Sequence, residues 1–215
     1  MLTGAGFRFE MRTDVRNNLR LKNIMTMETR IWLITGDPAV GKTTVVSRIL
    51  LQLRSEGLTV GGILTREIRV KGERQGFLIV DVSSEESANL ATSGKRVGPK
   101  VGRYHINLES LSRISSKAFE RARSYSDIVV CDEVGPMELY SPEFRKGVRN
   151  CILDSSKPFI CVIHKRLVDP LLDELKGNQS SKLIEVTYEN RESISGEVSS
   201  EVLKSLKTDK GTALS

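Results

Sequence analysis

The chain has 215 residues against about 100–200 for a usual domain, which leaves room for one domain with an elaborated insertion rather than a second catalytic unit. Its 33 Lys+Arg and 27 Asp+Glu leave a formal charge of +6, but residues 1–30 hold six basic and three acidic groups, so the other 185 residues carry only +3. That is ordinary for a soluble enzyme handling phosphates and too little to argue for duplex DNA binding. Apolar runs fall far short of the roughly 18 residues of a membrane span, the amino terminus has no continuous apolar stretch, and three cysteines without C-x-x-C spacing (Cys131, Cys151, Cys161) fit a reducing cytoplasm, so membrane and secreted classes drop out.

Residues 1–28 show poor periodicity, few aliphatics and scattered arginines, and read as a flexible basic arm ahead of a domain spanning 29–207, with 208–215 a tail. The run Ile31-Trp32-Leu33-Ile34-Thr35 predicts a buried strand, and the stripe Val45, Val46, Ile49, Leu50, Leu53 predicts a helix over 42–56, stopped by Gly57. Two strand-like stretches, 63–70 and 77–82, joined by the charged segment 71–76, predict a β-hairpin with an exposed basic tip. Residues 84–107 are polar, punctuated by glycine and hard to assign. Helical spacing returns at Leu108, Leu111, Ile114, Ala118 and Ala122. Three apolar strands follow, 128–131, 159–163 and 183–186, each separated from the next by a helical segment. Ser141 with Pro142 marks one helix start and Asn190 is the expected cap of a last helix with the stripe Ile194, Val198, Val202, Leu206. Strands alternating with helices imply an α/β fold: a mainly parallel sheet covered on both faces, with a β-hairpin insertion.

Directly after the first strand stands Gly36-Asp37-Pro38-Ala39-Val40-Gly41-Lys42-Thr43, a complete G-x-x-x-x-G-K-[ST] phosphate loop, followed by Thr44. Such a match arises by chance in a chain this long with a probability on the order of one in a hundred, and here it sits between a strand and a helix as the chemistry requires. Inward-turned amides and the helix amino terminus cradle phosphate; Lys42 reaches the β and γ phosphates, and the Thr43 hydroxyl is a ligand for Mg2+. Downstream, Asp127-Ile-Val-Val-Cys-Asp132-Glu133 sets two carboxylates at the carboxyl end of an apolar strand, the edge where open α/β sheets bind ligands. Asp132 suits Mg2+ positioning and Glu133 suits polarising a water in line with the γ-phosphate. Asp132 to Gly135 also reads D-x-x-G, as in GTPase switches, but no N-K-x-D base selector follows.

With these residues in hand the chain resembles the small P-loop nucleoside-triphosphatases of archaea, bacteria and animals, over roughly residues 30–206. The most specific piece is Asp132-Glu-Val-Gly-Pro-Met-Glu-Leu139 followed by Ser141 and Phe144; supporting pieces are Thr65-Arg-Glu-Ile-Arg69 with Gly72, Arg74, Gly76 and Phe77, Val101-Gly-Arg-Tyr104, Lys157-Pro158 leading to His164, and Thr187 with Asn190-Arg191. The resemblance implies a P-loop fold of the additional-strand, RecA-like kind, with strand 159–163 between the phosphate-loop strand and the Asp132 strand and His164 beside the γ-phosphate as a sensor. Ala39 replaces a glycine of the family's loop, which puts the local backbone conformation in question. Arg69, Arg74, Arg103 and Arg191 are candidates to neutralise transition-state charge, with surface or ion-pair roles as the alternative. Tyr104 and Phe77 could stack on a base. The expected activity is Mg2+-dependent hydrolysis of nucleoside triphosphates (ATP, GTP and others), with a nucleotide or nucleoside kinase, or a nucleotide-gated factor with an RNA partner, as the alternatives. Only the basic arm supports RNA.

Overall fold

The computed structural model describes residues 28–94, 97–154 and 156–212. In chain order they form β1 (Ile31–Gly36), α1 (Lys42–Ser55), β2 (Val60–Val70), β3 (Glu73–Asp81), β4 (Ser87–Thr92), β5 (Lys100–Val101), β6 (Tyr104–Ile106), α2 (Leu108–Tyr125), β7 (Ile128–Val134), a 3-10 turn (Glu138–Tyr140), α3 (Pro142–Leu153), β8 (Phe159–Ile163), α4 (Pro170–Gly177), β9 (Ser181–Val186) and α5 (Ile194–Thr212). The proposed arm lies outside the described residues except for Glu28, whose carboxylate pairs with Arg30 at 2.9 Å. Most of the proposed tail, 208–215, is helical to Thr212 and lies outside the described residues beyond it.

The strands share one sheet in the order β5-β6-β4-β3-β2-β7-β8-β1-β9. From β2 to β9 every pairing is parallel, and β8 lies between β1 and β7, the additional-strand order. Alternate residues of the central strands enter two cores. Leu33, Val129, Cys131, Phe159 and Cys161 pack under α2, α3 and α4, while Trp32, Ile34, Val130, Ile160 and Val162 pack under α1 and α5. Because both faces are covered, these strands are apolar throughout, which is why they were readable from sequence. Each fully buried Ile or Leu of α1, such as Ile49 and Leu53 at 0% exposure, contributes roughly 1.5–3 kcal/mol by leaving water. This burial fixes the helix that starts in the phosphate loop.

Beyond β2 the sheet turns antiparallel, and the insertion is larger than a hairpin: β3 pairs with β4, β4 with β6, and β6 with β5. The stretch 84–107 thus holds three strands. In β4 only Leu90 is a large apolar residue, fully buried among small and polar neighbours, so the strand is held by its pairing rather than by its own pattern. The hairpin tip is also tighter than expected. Lys71 and Gly72 alone turn the chain, both at positive φ (51° and 82°), the geometry favoured for two-residue hairpins, and the expected loop residues Glu73 to Gly76 belong to β3. Ser141 caps α3 as expected, accepting from Phe144 N at 3.1 Å. Asn190 does not cap α5. Its side chain accepts from Thr187 N at 2.8 Å and donates to Glu185 O at 2.9 Å, tying down the turn before the helix, which starts at Ile194. Cys131, Cys151 and Cys161 are buried and free, and no helix among the described residues is long and apolar enough to cross a membrane.

Candidate active site

The site is built at the carboxyl edge of the parallel strands. Gly36 ends β1 at φ 150° with its Cα against the Val186 carbonyl; an added Cβ would lie 2.6 Å from that oxygen, so only glycine lets the loop leave β1 beside β9. Gly41 stands at φ 107° as the residue before α1, a left-handed conformation that turns the chain into the helix. Ala39 resolves its own question: it adopts φ 63°, the left-handed conformation that glycine holds without strain, and it is solvent-exposed. Lys42 folds back over the loop and donates to the carbonyls of Gly36 (3.0 Å) and Asp37 (3.1 Å), which holds its ammonium at the loop mouth. Pro38 and Thr44 line the same mouth, and Val40 is the loop residue buried in the α1 core. Asp37 points outward to Lys165 (3.0 Å) and Arg166 (3.6 Å), and the hydrogen bond and charge of Lys165 hold its carboxyl below the usual range.

Two strands away, Asp132 and Glu133 end β7. The pairing of β7 with β8 slips here: Cys131 faces Cys161, but Val134 faces Ile163, so two residues of β7 stand against the single Val162. The slip returns Val134 to the core of Val129 and Cys131 and leaves both carboxylates at the cleft. Asp132 is 3% exposed, and its Oδ2 is buried without a hydrogen-bond partner. Burial pushes its pKa up to about 7, opposed by the Thr43 hydroxyl, raised further by Glu133 and lowered by Lys42. Glu133 is also raised, chiefly by burial, with Lys42 and His164 opposing. His164 follows β8, donates its backbone N–H to Val134 O at 3.3 Å, and accepts at Nδ1 from Arg166 N at 3.3 Å. Lys42, Thr43, Asp132, Glu133 and His164 therefore line one cleft of about 460 Å³.

The expected arginines divide. Arg69 and Arg74 both bind Glu67 (2.7 and 2.6 Å), and Arg103 donates to the Tyr104 hydroxyl (3.0 Å), so all three are engaged within the insertion, and of them Arg74 also lines the cleft. Arg191 sits on the other side of the loop, stacked on Tyr188 at 5.3 Å and with its Cδ near Gly41. Phe77 and Tyr104 pack edge to face on each other at 5.1 Å. One residue was not singled out from sequence. Glu138, in the segment that carried the resemblance, is 5% exposed and lines the cleft; burial, then Glu133, pushes its pKa up to about 8. Its carboxylate and that of Glu133 flank Gly135, where an added Cβ would meet them at 3.0 and 2.5 Å. The only sequence signal was a glutamate inside an otherwise apolar turn.

With this geometry in place, the comparisons decide the lineage: residues 31–199 match the NTPase family. The chain belongs to that family. It is similar to the nucleoside-triphosphatase THEP1 of Pyrococcus abyssi, 37% identical over 175 residues (81% of this chain, 93% of that one), and to THEP1 of Methanopyrus kandleri, 40% identical over 173 residues (80% and 94%). Among solved structures it matches THEP1 from Aquifex aeolicus with a TM-score of 0.71 at 30% identity (80% and 98% covered), and a human cancer-related nucleoside triphosphatase at 0.68 and 29% (79% and 95%). The fold is thus that of a P-loop NTPase, as its strand order indicates.

Proposed function

We propose that residues 29–207 form a Mg2+-dependent nucleoside-triphosphatase that hydrolyses the γ-phosphate of ATP, GTP and other nucleoside 5′-triphosphates. Hydrolysis of nucleoside triphosphates is the activity of the family to which the chain belongs. The observation that carries the detailed reading is the pair Asp132-Glu133, held at the carboxyl end of β7 in the same cleft as Lys42 and Thr43. The phosphates enter the loop formed by Gly36 to Thr44, where main-chain amides and the α1 terminus supply fixed positive charge. Lys42 exchanges its two carbonyl contacts for β and γ oxygens. Because the grip is on phosphate and not on the base, several bases are accepted.

The donors fit a hard cation: a threonine hydroxyl and a carboxylate oxygen that is buried and otherwise unpartnered, with phosphate oxygens and water to complete the set. Thr43 and Asp132 would hold magnesium, which would supply neutralisation of phosphate charge there. Glu133, whose burial raises its proton affinity, orients the attacking water and takes up its proton. His164, at the end of β8, contacts the γ-phosphate end and reports its presence. The test is phosphate release from ATP, GTP, CTP and UTP, each with Mg2+ and with chelator. Release from all four that vanishes with chelator supports the reading. Release indifferent to chelator removes the metal role of Thr43 and Asp132.

A further inference from the structure

The cleft continues past the place of a γ-phosphate. β2 does not stop at Leu64, the residue in register with Asp132; it runs on to Val70 and, paired with β3, overhangs the carboxyl edge of the parallel strands. Thr65, Glu67 and Phe77 of this overhang, with Val101 and Met137, wall the space opposite the phosphate loop, and Glu67 and Phe77 are direct cross-strand partners. Hydrolysis needs room beside the terminal phosphate for one water, about 30 Å³. The cleft of about 460 Å³ takes in both the phosphate-loop mouth and this wall, so its far end adds lining that one attacking water does not need.

The chemistry of that wall is selective. Phe77 offers half-buried aromatic surface, fixed by the Tyr104 ring at its side and the Arg74 guanidinium 5.3 Å from its centroid. The Glu67 carboxylate is immobilised between Arg69 and Arg74. Thr65 Oγ1 is buried in the cleft lining and has no hydrogen-bond partner. An aromatic surface, a fixed acceptor, a guanidinium donor and an unpaired hydroxyl together recognise a planar heterocycle that carries N–H and carbonyl groups and a sugar hydroxyl. We infer that this wall is an acceptor site for a nucleoside, to which the chain transfers the γ-phosphoryl group in place of water.

The inference rests on the placement of the triphosphate given under the proposed function. In the transfer, the nucleoside hydroxyl oxygen forms a bond to the γ-phosphorus, and the bond from that phosphorus to the β,γ-bridging oxygen breaks. The electron pair leaves with the nucleoside diphosphate, and the hydroxyl proton passes to Glu133. No co-reactant beyond donor and acceptor is needed.

The experiment incubates the full chain with Mg2+ and ATP labelled at the γ-phosphate, with each common ribonucleoside and deoxyribonucleoside in turn, and separates the products by chromatography. Acceptor-free phosphate release is measured in parallel. Labelled nucleoside monophosphate from at least one acceptor, with less free phosphate, is expected. Phe77→Ala and the near-isosteric Thr65→Val should lower transfer tenfold or more while acceptor-free hydrolysis stays within twofold of the parent. Intact hydrolysis without a labelled nucleoside overturns the inference, even where a nucleoside slows phosphate release. Transfer untouched by both substitutions overturns the assignment to this wall. Absence of acceptor-free hydrolysis in the parent protein sinks the proposed function, and only absence of labelled nucleoside alongside it sinks this inference as well.

Discussion

Replacing Glu138 by glutamine should flatten the fall of stability with pH. The buried carboxyl is raised from an ordinary 4.5 to about 8, so folding favours its protonated form. The stabilisation is fully present below pH 4.5 and is lost as pH rises through 8, because the ionised group must then sit buried beside Glu133. At 1.36 kcal/mol per pKa unit, the shift corresponds to about 5 kcal/mol between the two ends of that window. Glutamine has the same shape and keeps an acceptor for the backbone N–H groups of Gly135 and Glu138, but it cannot ionise. Urea unfolding of both proteins without nucleotide or divalent cation, from pH 5 to pH 8.5, measures the effect. Asp132 contributes a slope of the same sign, raised to about 7, and apart from its own repulsion of Glu138 that slope is common to the two proteins. The parent should lose stability relative to Glu138→Gln by several kcal/mol across the range, with the variant the more stable at pH 8.5. Parallel profiles would show that Glu138 is already ionised or solvated and would refute the reasoning.

Other consequences are nearer the loop. Lys42→Ala removes the side-chain charge held at the loop mouth by the Gly36 and Asp37 carbonyls, and should lower phosphate release by roughly 10² or more while nucleotide still binds through the amides; an unchanged rate would end the phosphate-loop reading. Ala39→Gly relieves a left-handed alanine at φ 63°, worth about 1 kcal/mol after the entropy glycine adds to the unfolded chain, so melting temperature should rise by about 2–4 °C; a fall would place Ala39 in contacts that matter more than its backbone. Ile49→Ala leaves a hole under α1 and should cost about 2–5 kcal/mol in denaturant unfolding, against less than 1 for a surface change such as Leu51→Ala.

What the sequence made legible follows from how each element is held. The central parallel strands β1, β7 and β8 are buried on both faces, so their apolar runs announce them, and the phosphate loop is legible because its glycine spacing is itself the geometry. The insertion was legible only in part. Its overhang exposes polar residues on both β2 and β3, so Glu73, Arg74 and Gln75 read as loop although they belong to β3, with Glu73 and Arg74 paired to β2 and Gln75 at the bulge beside them. Strands β4, β5 and β6 are short, and they are held by pairing with β3 and with one another, so their own residues carry little periodic signal. The same limit applies within the site. The adjacent carboxylates Asp132 and Glu133 could be read, but the strand slip that brings both to the cleft, and the burial of Glu138 beside them, arise only from tertiary packing.

The central claim is that Glu133 orients and deprotonates the water that attacks the γ-phosphate. Phosphate release by Glu133→Gln under saturating nucleotide and Mg2+, with nucleotide affinity measured on the same preparation, tests it directly. Glutamine preserves size and keeps the end of β7 intact but cannot accept the developing proton, so turnover should fall by roughly 10² or more with affinity unchanged. Hydrolysis at the parent rate would contradict the account and return Glu133 to the status of a strand-end carboxylate.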